Sequence, residues 1–433
     1  MVNIVQMHLS QYGVASSQAT PIRLLLRSFE QDFRDGVDIN LGAEYVNEKT
    51  IPITSLMEAM RAVAGDPTKY RQAFNYGDPA GSANLIESLQ RFLTRMRVGG
   101  LDANSIARKR MAVGASGATS ILDALTVLVE PGLVVTSDPM CYIYADVLER
   151  RGFEILAIPE DLEGISLALL DRKLREIQGG VGRIAFFYVM TVNDPTCTVL
   201  SNARRCALYE VAASLSAKQG RTIPIFYDLA YELLLHDPKA EPLRSVLPQD
   251  DLGIAYEIGT LSKVVAPALR IGYLLGPDGP LMNAFVQKTN DFGMSPSVFL
   301  QEMGSYLLEY HMAEQLTAVR TAYRDRALAV RAGIEESLGP ILEDCVGGDA
   351  GFFYYLTFRD IETHLDSPFF RFLTRTTGEP RVMYVPGECC VHRQGELVER
   401  GRRQLRLSYG FEEVPSILRA LTLMREAAKH VRC

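Results

Sequence analysis

The sequence predicts an α/β protein: a mainly parallel, seven-stranded sheet in a large three-layer domain, with a smaller α+β domain after it. Three observations carry this expectation. Seven short apolar runs recur between residues 110 and 276: RMAVG (110–114), LVVT (133–136), FEILAI (153–158), RIAFFYV (183–189), IPIFYD (223–228), IAYEIGTL (254–261) and RIGYLLG (270–276). Their apolarity is continuous rather than alternating, as in strands buried on both faces. Segments of helical pattern separate most of them, so helices are expected to cover the sheet on either side.

In chain order, residues 1–35 mix apolar and polar residues, with a helical patch at 22–33. DINLGAEYVNEKTIP (38–52) reads as an extended segment bearing Gly42 and ending at a proline. In FNYGDPAGSANLIESLQRFL (74–93) the turn cluster Gly77-Asp78-Pro79 runs into an amphipathic helix from Ala83. Past Gly276-Pro277 a long helical region begins, broken near 293–296 and continuing to about 337. GFFYYLTF (351–358) alternates like a strand, and QLRLSYG (404–410) is a second short strand carrying Arg406.

A chain of 433 residues can hold two or more domains, and the boundaries expected here are 1–50, an arm and first part of the small domain; 51–310, the large domain; and 311–433, the C-terminal small domain. Net charge is −7 with both signs interspersed, which gives no basic footprint for nucleic acid or an anionic membrane. Seven cysteines occur without a CxxC pair or a Cys/His ligand spacing, so reduced thiols and no metal site are expected, Cys389-Cys390 included. The opening MVNIVQMHLSQYGV lacks the parts of a signal peptide, and no apolar run reaches membrane-spanning length. A cytoplasmic protein is the expectation.

The chemistry concentrates in GTLSKVVAPALRIGY (259–273), where Lys263 follows Thr260 and Ser262, and Arg270 stands seven positions on. Apolar runs flank it on both sides, which sets the lysine between two buried strands. An amine, two hydroxyls and a guanidinium suit a small molecule bearing an aldehyde and a phosphate: Lys263 forms a Schiff base, and Arg270 gives the phosphate a bidentate, permanently charged partner. That is the chemical demand of pyridoxal phosphate. Sites in such sheets gather at the carboxyl ends of strands. One such end, VGASGATSILDAL (113–125), combines small residues with the free amides of a helix start, an anion site. Another ends in Asp228, a buried carboxylate that needs a cation, which a protonated pyridine nitrogen supplies.

Asp228…Tyr231…Lys263…Arg270 taken together resembles the fold-type I pyridoxal-phosphate enzymes, class I/II aminotransferase family, from about residue 38 to the C-terminus. The resemblance implies an aspartate-aminotransferase-like fold. It implies that Ser116, Gly117 and Ala118 cup the cofactor phosphate, that Tyr231 reaches the phenolic oxygen, and that Arg406 forks onto the substrate α-carboxylate. It implies Gly42 beside the substrate, and a homodimer in which Tyr76 reaches the neighbouring subunit's phosphate.

The Lys-to-Arg spacing is closer to the α-aminoadipate/kynurenine branch than to the aspartate branch. Two positions depart from the family pattern. Where a tyrosine stacks on the cofactor ring this chain has Cys141, with Tyr142 next; either faces the ring. Where Asn-Pro-Thr-Gly is usual, it reads Asp194-Pro195-Thr196-Cys197 with Asn193 one place earlier, and either Asn193 or Asp194 meets the phenolic oxygen.

The implied activity is transfer of the amino group of an α-amino acid to a 2-oxo acid. The rival is a biosynthetic elimination, replacement, carbon–carbon bond-forming or cyclising reaction on an activated amino acid such as a sulfonium or guanidino one. A third class, the effector-sensing half of a transcription regulator, needs a basic helix-turn-helix segment, for which the first 35 residues are too short and not basic enough.

Overall fold

The computed structural model describes residues 8–432 apart from 21, 22, 25, 26, 28, 30, 178 and 376–379, so part of the helical patch expected at 22–33, and Cys433, lie outside the described residues. In chain order the strands are β1 (Ile39–Asn40), β2 (Arg110–Val113), β3 (Leu133–Asp138), β4 (Glu154–Asp161), β5 (Gly164–Ile165), β6 (Ile184–Met190) and β7 (Ile225–Asp228). They continue with β8 (Ala255–Thr260), β9 (Gly272–Gly276), β10 (Leu342–Gly347), β11 (Phe353–Phe358), β12 (Val382–Met383), β13 (Val385–Pro386) and β14 (Gln404–Ser408).

The seven apolar runs are seven strands of one sheet, ordered β2-β9-β8-β7-β6-β3-β4-β5. β4, β3, β6, β7 and β8 run parallel, while β9 is antiparallel to both β8 and β2. The eighth strand, β5, is two residues that turn back antiparallel on β4, too short for any apolar period to announce. Every residue of β3, β6, β7, β8 and β9 is buried, the reason those runs are apolar throughout. Helices Gly117–Leu128, Tyr142–Arg150 and Leu167–Glu176 pack on the sheet.

The helix expected from Ala83 spans Ala83–Arg95. Ser82 caps it by accepting from Leu85 N, and Leu85, Leu89, Phe92 and Leu93 form its buried stripe. That stripe meets helix Val298–Tyr310, the middle piece of a region built as Pro280–Asp291, Val298–Tyr310 and Met312–Leu338.

A second, antiparallel sheet has the order β10-β11-β14-β13, beside helices Met312–Leu338 and Val414–Arg432, which pack on each other. β11 is buried along its whole length rather than on alternate residues. The N-terminal segment joins this region: β1 pairs in parallel with β12, and Ser408 N donates to Leu41 O over 2.8 Å. Residues 42–45 are thereby delivered to the end of β14.

Candidate active site

The carboxyl ends of β3, β6, β7 and β8 open on one cavity of about 460 Å³, lined by Gly42, Glu44, Ala118, Cys141, Tyr142, Asp194, Asp228, Tyr231, Thr260, Ser262, Lys263 and Arg270 among others. A larger hollow of about 830 Å³ at the opposite ends of these strands, around Gly132, Glu154 and Arg221, contains none of the expected site residues.

Lys263 sits just past β8, in the connection to β9. Its Nζ donates to the backbone oxygen of Glu44 over 3.1 Å and lies 5.1 Å from the centre of the Tyr231 ring and 5.4 Å from that of Phe352. Burial lowers the Lys263 pKa, against the opposing pull of Glu44 and Asp194. Thr260 Oγ1 donates to Ile271 O over 2.8 Å and accepts from Ser262 N, fixing the turn before the lysine.

Ser116, Gly117 and Arg270 form a cup where β2 enters its helix. Arg270 Nε donates to Ser116 Oγ over 3.3 Å and Nη2 to Ser116 O over 3.1 Å, while Gly117 N donates to Arg270 O over 2.7 Å. Gly117 has φ +66°, and a Cβ there would stand 2.7 Å from Arg270 Nη2. Arg270 itself has φ 53°, a left-handed backbone rare outside glycine that turns its side chain back onto the helix start. Ala118 lines the cavity directly.

Asp228, the last residue of β7, is buried. One carboxylate oxygen accepts from Tyr188 Oη at 2.7 Å and the other from Ala230 N at 2.9 Å. Burial raises its pKa, opposed by these two donors and by Lys263. Tyr188 was not among the expected residues; the signal available was a phenol in an otherwise apolar strand, whose hydroxyl needs a partner when buried. The Tyr231 ring is held edge-on by Phe352 and Phe353, with centroids at 5.2 and 5.5 Å.

Arg406, on β14, is fully buried and is itself absent from the cavity wall, because two carboxylates stand in front of it. Its Nη1 donates to Asp194 Oδ1 and to Glu44 Oε1, each at 2.7 Å, and its Nη2 donates to Gly42 O at 2.8 Å. The guanidinium also lies 4.3 Å from the Phe353 ring centre. Burial pushes the Asp194 carboxyl up to about 6, with Arg406 only partly offsetting it and Glu44 adding to the rise. Glu44 is held below its ordinary value because Arg406 and Lys263 outweigh the effect of burial. Glu44, two residues beyond Gly42, was not singled out from the sequence; a lone acid inside LGAEYV was the signal.

The two open choices fall out differently. Asn193 turns away from the cavity: its amide nitrogen donates to Pro139 O and Glu160 Oε2, and its oxygen accepts from Ser137 Oγ, a network that locks the strand ends together. Asp194, not Asn193, lines the cavity. Cys141 and Tyr142 both line it; Cys141 immediately precedes helix Tyr142–Arg150, and the Tyr142 ring is buried with Tyr355, Val385 and Cys390, 5.8 Å from Arg406. Tyr76 is outside this chain's cavity and is 73% exposed. Among the described residues no cluster of histidine, cysteine and carboxylate side chains could hold a metal ion, and no helix is long and apolar enough to cross a membrane.

The family profile described as aminotransferase class I and II matches residues 36–387. The uncharacterized HTH-type transcriptional regulator YdfD of Bacillus subtilis (strain 168) is 24% identical over 330 residues, which are 75% of this chain and 63% of the relative. The chain therefore spans a little under two thirds of that regulator's length. The multiple substrate aminotransferase of Thermococcus profundus superposes with a TM-score of 0.83 at 22% identity, covering 98% of each chain. The kynurenine aminotransferase of Pyrococcus horikoshii does so with a TM-score of 0.81 at 21% identity, covering 95% of each. The architecture is the expected aspartate-aminotransferase-like one. The chain belongs to the class I and II aminotransferase family.

Proposed function

We propose that the protein is a pyridoxal-phosphate-dependent enzyme that transfers the amino group of an α-amino acid to a 2-oxo acid. The observation that carries this reading is that Lys263 and Asp228, at the ends of adjacent strands, face one cavity. The residues fit the cofactor. Lys263 would hold its aldehyde carbon; Ser116, Ser262 and Arg270 its phosphate; Asp228 its ring nitrogen. The missing Cβ of Gly117 lets the Arg270 guanidinium lie against the helix start, where backbone amides and guanidinium would together meet an oxyanion.

Bound, the cofactor supplies an aldehyde to capture the amino group and an electron-poor ring to accept charge from Cα. The chain's own side chains do the remainder. Tyr188 favours the ionised form of Asp228 that a ring N–H requires, against the burial that raises its pKa. Arg406 would orient the α-carboxylate, a planar fork that lysine could not copy. Lys263 Nζ, its basicity lowered by burial, moves the proton at Cα.

A second reading, elimination, replacement or carbon–carbon bond formation starting from the same Cα–H cleavage, is favoured by Asp194, a carboxyl where the family carries an amide donor. A homodimer in which Tyr76 reaches the neighbouring site is part of the proposal, supported by Phe74 and Tyr76 being 77% and 73% exposed. The expected particle is then twice 48.0 kDa, measurable by sedimentation, and a monomer would refute the dimer.

The test is to add pyridoxal phosphate to purified wild type and Lys263→Ala and follow absorbance. Wild type should become coloured and, given an amino acid and a 2-oxo acid, yield a new amino acid. Lys263→Ala should do neither. A colourless wild type overturns the proposal, and a leaving group released without a new amino acid selects the second reading.

A further inference from the structure

The charges around Arg406 make a further point about which amino acid fits, and it rests on the function proposed above. The cluster sets Arg406 and Lys263 against two carboxylates, Asp194 and Glu44, and with Lys263 engaged at the cofactor Arg406 alone faces both carboxylates. Arg406 is fully buried behind those carboxylates, so a substrate carboxylate reaches it only by displacing one of them. The Asp194 side chain is 3% exposed and that of Glu44 is 23% exposed, so Glu44 is the one free to yield.

Once displaced, Glu44 is a part-buried carboxylate without its guanidinium, and an unpaired charge there is disfavoured. A substrate whose side chain is neutral leaves it so. One whose side chain is anionic adds repulsion. A substrate whose side chain ends in an ammonium or guanidinium group exchanges one ion pair for two: its carboxylate takes Arg406, and its distal cation takes Glu44. Asp194, still within reach, strengthens the same preference. The α-amino group cannot serve, because it is engaged at the cofactor.

We propose that Glu44 is a specificity-determining residue that selects α-amino acids with a cationic side chain, acting as the internal stand-in for the substrate carboxylate until such a substrate arrives. Tyr142 and Tyr231, which line the cavity beside the cluster, give a guanidinium or ammonium stem aromatic walls.

The test uses the cofactor-loaded protein, titrated by absorbance and by calorimetry with two isosteric pairs: arginine against citrulline, and ornithine against norleucine. Wild type should bind the cationic member of each pair about tenfold or more tightly, the effect of one charge-assisted contact. The advantage should shrink with added salt. In Glu44→Gln the ratio should fall towards one, chiefly by loss of the cationic ligand, while Glu44→Asp keeps part of it. Equal binding of both members by wild type, tighter binding of glutamate than of arginine, or an undiminished ratio in Glu44→Gln would each overturn the proposal. A protein that takes up no cofactor fails earlier, at the proposed function itself, and that failure is visible in the absorbance before any amino acid is added.

Discussion

Arg406 Nη1 lies 2.7 Å from Asp194 Oδ1, an ion pair buried on both sides between residues 212 positions apart in the chain. It bolts the second sheet to the loop after β6. Replacing Arg406 with methionine strands two carboxylates in the interior, and the expected loss is about 3–5 kcal/mol in urea denaturation. Asp194→Asn should lose clearly less, because Glu44 still neutralises the arginine. Combining the two substitutions should recover part of the loss of Arg406→Met, the mark of a direct coupling.

Tyr188→Phe removes the hydroxyl that donates to Asp228 over 2.7 Å. The carboxylate then loses one of the donors opposing the effect of burial, so it takes up a proton more readily and is a poorer partner for a ring N–H. A stability loss of about 1 kcal/mol is expected, with faster release of pyridoxal phosphate on dialysis. Unchanged retention would show that Tyr188 is only packing.

Gly272 begins β9 where it passes the proposed phosphate cup. A Cβ added there would stand 2.2 Å from Ala118 N and 2.4 Å from Gly117 C, both backbone atoms that cannot step aside. Gly272→Ala should therefore push the cup open, with a loss of about 2–3 kcal/mol and weakened binding of the cofactor. Fluorescence titration with pyridoxal phosphate reads the second effect.

His236 is buried beside Gly351 O and Tyr409 Oη, and burial lowers its pKa to about 4. The folded protein keeps it neutral, whereas an unfolded histidine titrates near about 6.5. Below that value the unfolded chain gains a proton that the fold refuses, so the contribution is intact above about pH 6.5 and is lost as pH falls towards about 4. Urea midpoints across this window should drop more steeply in wild type than in His236→Asn, by up to about 3 kcal/mol in total.

The sheet was legible because its strands are buried on both faces, so apolarity alone marked β2 to β4 and β6 to β9. β5 escaped because two residues carry no period. Lys263, Asp228 and Arg270 were readable for a different reason: each is a polar group set against an apolar strand, where chance placement is unfavourable. Glu44 and the covering of Arg406 were not readable, because the contact spans 362 positions and depends on the β1–β12 pairing. Asn193 and Asp194 are neighbours in sequence, and only the backbone turn decides that the first points into the strand-end network and the second into the cavity.

The β1–β12 pairing also separates two kinds of inheritance. Asp228 and Tyr188 lie on the large sheet and Lys263 just past one of its strands, while the four residues 42–45 follow a two-residue pairing, β1 with β12, that is separate from both larger sheets. On the proposed reading, exchanging one short loop retunes substrate choice and leaves the residues proposed for chemistry unaltered, so a laboratory graft of that loop between homologous chains should transfer appetite without transferring chemistry.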